Sequence, residues 1–120
     1  MLLVDTSVWV QHFRRGEPIL VDRLTEGRVL MHPFILGELA CGNLKDRPEV
    51  LADLNSLPAA NVASDAEVLR LIDHRRLWGR GLGWVDLHLL ASALLSDCSF
   101  WTLDQRLAVA AKELGLSSLI

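Results

Sequence analysis

The chain has 120 residues and a formal net charge of −3, and 51% of its residues are hydrophobic. This length fits one globular domain, residues 1–120, and leaves no room for a second. The charge gives no global attraction to nucleic acid, so a polyanionic partner needs a local basic patch or a bound cation. No apolar run approaches the roughly 20 residues that cross a bilayer, and no signal-peptide core begins the chain. We therefore expect a cytoplasmic protein without a membrane partner.

Strands and helices alternate along the chain. Short apolar runs predict the strands, and Pro, Gly and a Ser64/Glu67 capping box mark the helix ends. The predicted elements are strand 2–4, helix 8–16, helix 18–27, strand 28–31, helix 33–42, helix 46–57, a weak strand 59–63, helix 64–78, helix 86–97, strand 100–103 and helix 105–114. This alternation predicts an α/β fold, a three-layer α/β/α sandwich around a parallel sheet of four to five strands.

Two acidic residues follow predicted strands directly. Asp5 ends the first strand, and Asp104 ends the last. Ligands of open parallel sheets bind at the carboxyl ends of the strands, so both side chains should lie on the same edge. Each residue alone is also explained as a helix N-cap. The functional interpretation therefore depends on further acids at the same edge.

Glu38 and Asp86 are the further candidates. Glu38 follows Phe34 and Ile35 by four and three residues, which places it on an apolar helical face and predicts that it is buried. A buried carboxylate needs a proton, a cation or an ion pair with an arginine. Asp86 begins a helix after Gly83, so a helix cap is its alternative explanation.

Four carboxylates on one edge would repel one another, and a divalent cation supplies the missing charge. Oxygen ligands without His or Cys suit Mg²⁺ or Mn²⁺, and Mg²⁺ usually takes only one or two carboxylates directly. We therefore predict that Asp5 and Asp86 bind the metal directly, while Glu38 and Asp104 act directly, through water or as general base. All four are predicted catalytic residues for hydrolysis of phosphodiester bonds.

Four segments resemble the acidic motifs of PIN-domain ribonucleases, and most of all those of VapC-type toxins. They are Leu-Val-Asp-Thr-Ser-Val-Trp at 3–9, Gly-Glu-Leu at 37–39, Trp-Val-Asp-Leu at 84–87 and Thr-Leu-Asp at 102–104. The resemblance runs from end to end. It implies a PIN-like fold, a Mg²⁺- or Mn²⁺-dependent endoribonuclease, a homodimer, and a cognate small antitoxin that inserts into the active-site groove. It also implies that Thr6, Ser7 and Thr102 orient a carboxylate or a water.

Contacts to an RNA substrate are predicted from basic and aromatic residues before the third acid. Arg75, Arg76 and Arg80 form the densest basic stretch, although basic residues at a solvated helix end explain it equally well. Trp84 is a candidate for stacking on a base. His88 points about 200° away from Asp86 on a helix, so we interpret it as a packing or interface residue outside the catalytic set.

Two alternatives remain from other classes. A phosphatase or response-regulator domain also places aspartates at a sheet edge, but no DxD follows the first strand here. The second is a catalytically silent PIN-like module that binds RNA or a partner. The residues do not specify which RNA is cleaved, because single-stranded targets are selected by shape.

Overall fold

A computed structural model describes residues 1–117, which form seven helices and three strands. None of these helices is long and apolar enough to cross a membrane. The elements in chain order are β1 (Leu2–Val4), α1 (Thr6–Arg15), α2 (Pro18–Thr25), β2 (Val29–Leu30), α3 (Pro33–Ala40), α4 (Arg47–Asn55), α5 (Asp65–Arg75), α6 (Trp84–Ser96), β3 (Ser99–Trp101) and α7 (Gln105–Glu113).

The sheet is parallel and β1 is its central strand, in the order β2-β1-β3. Leu3 of β1 pairs with Leu30 on one side and with Phe100 on the other. All residues of β1 are buried, with at most 3% of their surface exposed. Side chains alternate between the two faces of a strand, so both faces of the sheet are covered by helices. The predicted three-layer α/β/α arrangement is confirmed.

The predicted number of strands was wrong, because the described chain has three strands rather than four to five. Segment 59–63 contributes a single parallel bridge between Met31 and Ala59. Beyond it, the backbone N–H groups of Asn61 and Ala63 donate to the hydroxyls of Ser96 and Ser92 on α6, at 2.9 and 3.1 Å. These groups are therefore lost to the sheet, and the strand does not extend.

Two predicted helix boundaries around the third acid also differ. The capping box of Ser64 and Glu67 begins α5 as predicted, but α5 ends before Arg76, which takes a left-handed conformation with φ of 52°. Helix α6 begins at Trp84, two residues earlier than predicted, so Asp86 lies within its first turn. Because α5 ends earlier than predicted, the loop between α5 and α6 spans residues 76–83 and is longer than the sequence suggested. This loop leads directly to Asp86.

Candidate active site

Asp5 lies at the carboxyl end of the central strand and is 7% exposed. Its backbone N–H still pairs with Trp101 of β3, at 2.9 Å. Its carboxylate Oδ2 accepts hydrogen bonds from Ser7 Oγ at 2.7 Å and from Thr102 Oγ1 at 2.8 Å. Within residues 1–117 no hydrogen bond reaches Oδ1. Asp5 is therefore a buried carboxylate with one oxygen held in place and the other available to a ligand.

The hydroxyls of Ser7 and Thr102 connect Asp5 to the backbone of the fourth acidic motif. Ser7 Oγ accepts from the N–H of Leu103 at 3.1 Å, and Thr102 Oγ1 accepts from the N–H of Asp104 at 3.0 Å. The two hydroxyl oxygens lie 3.4 Å apart. The start of α1 and the end of β3 are thus joined by hydroxyls, and this geometry fixes the orientation of the Asp5 side chain.

The alternative explanation as a helix cap holds for Asp104 but not for Asp5. Asp104 Oδ1 accepts from the N–H groups of Arg106 and Leu107 at 2.9 and 3.2 Å, which caps α7. Asp5 precedes α1 without any side-chain cap bond. Capping therefore occupies one oxygen of Asp104, and the position of Asp5 needs another explanation.

Asp86 accepts a hydrogen bond from the N–H of Gly83 to its Oδ2 at 2.9 Å. Burial raises the pKa of this carboxyl above its usual value of 3.8, and the negative charges of Asp5 and Asp104 raise it further. The Gly83 hydrogen bond acts in the opposite direction. The carboxylates of Asp5 and Asp104 therefore lie close enough to Asp86 to raise its pKa.

Asp86→Asn should stabilise the metal-free protein at neutral pH. A raised carboxyl pKa means that the folded state disfavours the ionised form, and this cost disappears below a pH of about 3.8. We expect the variant to be more stable than wild type near neutral pH, because it removes a charge that the folded state disfavours. Urea unfolding in EDTA measures the gain, which should vanish in acid. A variant less stable than wild type near neutral pH would contradict this explanation.

The structure corrects the prediction for Glu38, which is exposed on α3 rather than buried. Ile35 and Leu39, four residues apart, form the buried side of this helix. Glu38 lies next to this buried face of α3 rather than within it. Its Oε1 accepts a hydrogen bond from Thr6 Oγ1 at 2.7 Å, and no arginine in the described part of the chain pairs with it. Because Thr6 directly follows Asp5, this bond places Glu38 beside the end of β1.

The donor groups at this edge fit a hard divalent cation. Asp5, Asp86 and Asp104 offer carboxylate oxygens, which are the ligand type that Mg²⁺ and Mn²⁺ prefer. Across residues 1–117, no three Asp, Glu, His or Cys side chains lie close enough to hold a metal ion as they stand.

Two of the predicted basic substrate contacts, Arg75 and Arg80, bond to Glu113 rather than lying free beside the acids. Arg75 donates to the backbone carbonyl of Glu113 at 2.8 Å, and Arg80 forms an ion pair with the Glu113 carboxylate at 2.7 Å. Glu113 ends α7, at the opposite end of that helix from Asp104. Arg76 is exposed at the end of α5. The arginine pair thus joins α5 and its loop to α7, which leaves fewer donors for phosphate.

His88 is 2% exposed, in agreement with its interpretation as a packing residue. Its Nε2 lies 2.9 Å from Asp65 Oδ1, and its ring meets Phe34 and Trp84 edge to face, each with centroids 4.8 Å apart. Trp84 keeps 41% of its surface exposed. Trp84 thus has a free surface at the start of α6, while His88 supports it from inside.

Sequence reasoning missed Arg106, whose side chain lies against Gly81 in the loop before Asp86. Its backbone N–H bonds to Asp104. Arg106 is two residues from the fourth acid, so its position near the site could have been predicted. Its contact with Gly81 could not, because 25 residues separate the two positions in sequence.

The similarity of this chain to known proteins extends over both its fold and its acidic residues. The family model described as PIN domain matches residues 2–113, a span that includes all four acids. The chain belongs to the PIN domain family. Its acidic edge is therefore the edge of a PIN domain.

Relatives match almost the whole of this PIN domain. Ribonuclease VapC32 from two strains of Mycobacterium tuberculosis is 47% identical over 118 residues, which cover 98% of this chain and 95% of the relative. The structure of VapBC-1 from nontypeable Haemophilus influenzae superimposes with a TM-score of 0.71 at 13% identity. It covers 98% of this chain and 95% of that one. At this low sequence identity, the similarity to VapBC-1 shows a shared fold.

Proposed function

We propose that this PIN domain is a Mg²⁺- or Mn²⁺-dependent endoribonuclease that hydrolyses RNA phosphodiester bonds. The observation that carries the proposal is the buried carboxylate of Asp5, held by two hydroxyls and close enough to Asp86, together with Asp104, to raise the pKa of Asp86. The name of Ribonuclease VapC32, at 47% identity, supports the same activity. Family membership supports dependence on a divalent metal.

Each acid has a proposed role that follows from its contacts. Asp5 offers Oδ1 to the cation, since Ser7 and Thr102 hold its other oxygen. Asp86 is the second direct ligand. When bound, the cation polarises a phosphoryl oxygen and stabilises charge on the leaving oxygen. Asp104 uses Oδ1 to cap α7, so its Oδ2 can bind the cation directly or through water.

Glu38 is the proposed general base. Its Oε1 is held by Thr6, and exposure to solvent keeps its carboxylate in contact with water. A base in this position can take the proton of the attacking water while that water approaches phosphorus. Asp104 is the alternative base. No covalent intermediate is required, and no nucleophilic side chain is assigned.

A cleft along α1 supports access for a strand of nucleic acid. It has a volume of about 430 Å³ and is lined by Ser7, Val10, Gln11, Arg14 and Arg15. These positions recur at helical spacing, so their side chains line one face of α1. This face begins beside Asp5 and ends at the guanidinium groups of Arg14 and Arg15. Basic side chains along the path that leads to the acids offer a phosphate backbone the local positive charge that the chain as a whole lacks.

We further propose that the protein is the toxin of a toxin–antitoxin pair and forms a homodimer. The solved relative is titled VapBC-1, which supports a complex with a small antitoxin. Val10 and Phe13, 37% and 39% exposed, offer apolar contacts on α1, the helix that follows Asp5. An antitoxin seated there would cover the site. Dimer formation is supported by the resemblance to VapC-type toxins.

Incubation of purified protein with labelled RNA tests the proposed function. We expect cleavage with Mg²⁺ or Mn²⁺, none in EDTA, and none of DNA with the same sequence. Internal products from a circular RNA would distinguish an endonuclease from an exonuclease. Cleavage that continues in EDTA would contradict metal dependence. RNA binding without cleavage under any metal would instead favour the silent binding module.

A further inference from the structure

The side chain of Arg106 occupies the space beside Gly81 where another residue would have its Cβ. Cδ and Cζ of Arg106 lie 3.2 Å from that position, and Nη1 lies closer still. Gly81 has φ of +75°, a conformation that side chains rarely adopt. Gly79, with φ of +69°, has nothing within 4 Å. Of these two glycines, only Gly81 makes room for a guanidinium.

This contact brings the positively charged side chain of Arg106 close to the segments that carry two of the acids. The backbone N–H of Arg106 donates to Asp104 Oδ1 at 2.9 Å, and Gly81 lies two residues before Gly83, which binds Asp86. Arg106 therefore lies between the segments that carry Asp104 and Asp86. An RNA strand that reaches both acids would therefore pass close to this side chain.

The guanidinium of Arg106 has no partner within the described chain. None of the four ion pairs includes it, and no hydrogen bond of its side chain is formed. Arg75, Arg80 and Arg47, by contrast, donate to carbonyls or carboxylates. An arginine presents five N–H donors in a planar fork that matches phosphate oxygens. Arg106 is thus an exposed cation with unused donors.

We propose that Arg106 binds a backbone phosphate of the RNA next to the phosphate that is cleaved. The inference rests on the proposed function, because it assumes an RNA strand at Asp86 and Asp104. The absence of a side chain at Gly81 leaves room for the guanidinium beside the loop that leads to Asp86. The arginines that the sequence singled out, Arg75 and Arg80, hold α7 instead.

Binding of RNA in EDTA tests the proposal separately from cleavage. For Arg106→Gln we expect the dissociation constant to rise about 10-fold, in line with loss of a charge-assisted hydrogen bond. The slope of log affinity against log salt should fall by about 0.7, the value for one phosphate contact on a single strand. Arg106→Lys should keep the salt slope while binding more weakly. Unchanged affinity and slope in Arg106→Gln would overturn the proposal.

Arg28→Gln is a matched control, because Arg28 precedes β2 at the opposite edge of the sheet and is exposed. It should leave RNA binding unchanged, and an equal loss in this variant would mean that any arginine contributes through net charge, which overturns the proposal. If wild type binds RNA through Arg106 yet never cleaves it with metal, the proposed function fails while this inference stands.

The two glycines of the loop provide a second control. Gly81→Ala and Gly79→Ala both strain a left-handed backbone, at a cost of roughly the same size. Only Gly81→Ala displaces Arg106, so only this variant should weaken RNA binding. Addition of Arg106→Gln to Gly81→Ala should cause little further loss, because the two changes remove the same contact. Equal weakening by both alanine variants would count against a role for the guanidinium.

Discussion

Asp5→Asn should reduce single-turnover cleavage of RNA by about 10³-fold, which corresponds to roughly 4 kcal/mol of transition-state stabilisation. The substitution keeps the size of the side chain and an oxygen for the hydroxyls of Ser7 and Thr102. It removes the negative charge that the cation requires. The protein should therefore fold normally and lose its chemistry.

Asp53→Asn provides the control for Asp5→Asn, since Asp53 is an exposed carboxylate on α4. It makes the same chemical change at a position with no role in the site. We expect wild-type cleavage rates from this variant and an unchanged melting temperature from both. Cleavage by Asp5→Asn within threefold of wild type would rule out Asp5 as a metal ligand.

Stability should fall steeply as pH decreases from 6.5 to 4, because of His32. Burial and, to a lesser degree, the nearby His88 lower the pKa of His32 from 6.5 to about 4. The unfolded chain therefore takes up a proton in this range while the folded protein does not. The difference amounts to about 3 kcal/mol of stability, fully present above pH 6.5 and lost by about pH 4.

The contacts of His32 explain why it stays neutral. Its Nδ1 accepts the backbone N–H of Phe34 at 3.0 Å and so caps α3, and its Nε2 lies 3.1 Å from Ser92 Oγ. An Nδ1 that accepts a hydrogen bond cannot also hold a proton. His32→Asn keeps a capping acceptor but cannot titrate in this range. Urea unfolding from pH 7 to pH 4 should show a flatter dependence for the variant than for wild type, and parallel curves would contradict this assignment.

The positions of Asp5 and Asp104 could be predicted from the sequence because they depend on strand order alone. Both follow apolar strands, and in a parallel sheet the carboxyl ends of neighbouring strands share an edge. The hydroxyls of Ser7 and Thr102 come with them, since each lies two residues from one of these acids. Strand order together with the residues that flank each acid therefore accounts for most of the environment of Asp5.

The exposure of Glu38 could not be predicted in the same way. Helical periodicity identifies the apolar side of α3, but the neighbouring helices decide which flank of that side is covered. In the folded protein α1 and α4 pack against α3 and leave Glu38 in solvent, where it meets Thr6. The prediction that Glu38 is buried was wrong for this reason. Its hydrogen bond with Thr6 nevertheless holds it beside the end of β1.

Contacts between distant segments limited the other predictions. Segment 59–63 has the composition of a strand, yet Ser92 and Ser96 bind its N–H groups and prevent further pairing. Arg75 and Arg80 before Asp86 are engaged by Glu113, whereas Arg106 from another helix reaches Gly81. These pairings join residues 25 to 38 positions apart, and local sequence patterns contain no information about them.

Titration of the protein with Mn²⁺ by calorimetry tests most directly whether the acids form one metal site. Wild type and Asp53→Asn should bind Mn²⁺ with equal affinity, while Asp5→Asn and Asp86→Asn should bind at least about 10-fold more weakly, as is usual when groups around a metal site are lost. Equal Mn²⁺ affinity in all four proteins, or RNA cleavage by a protein that binds no Mn²⁺ or Mg²⁺, would contradict the account.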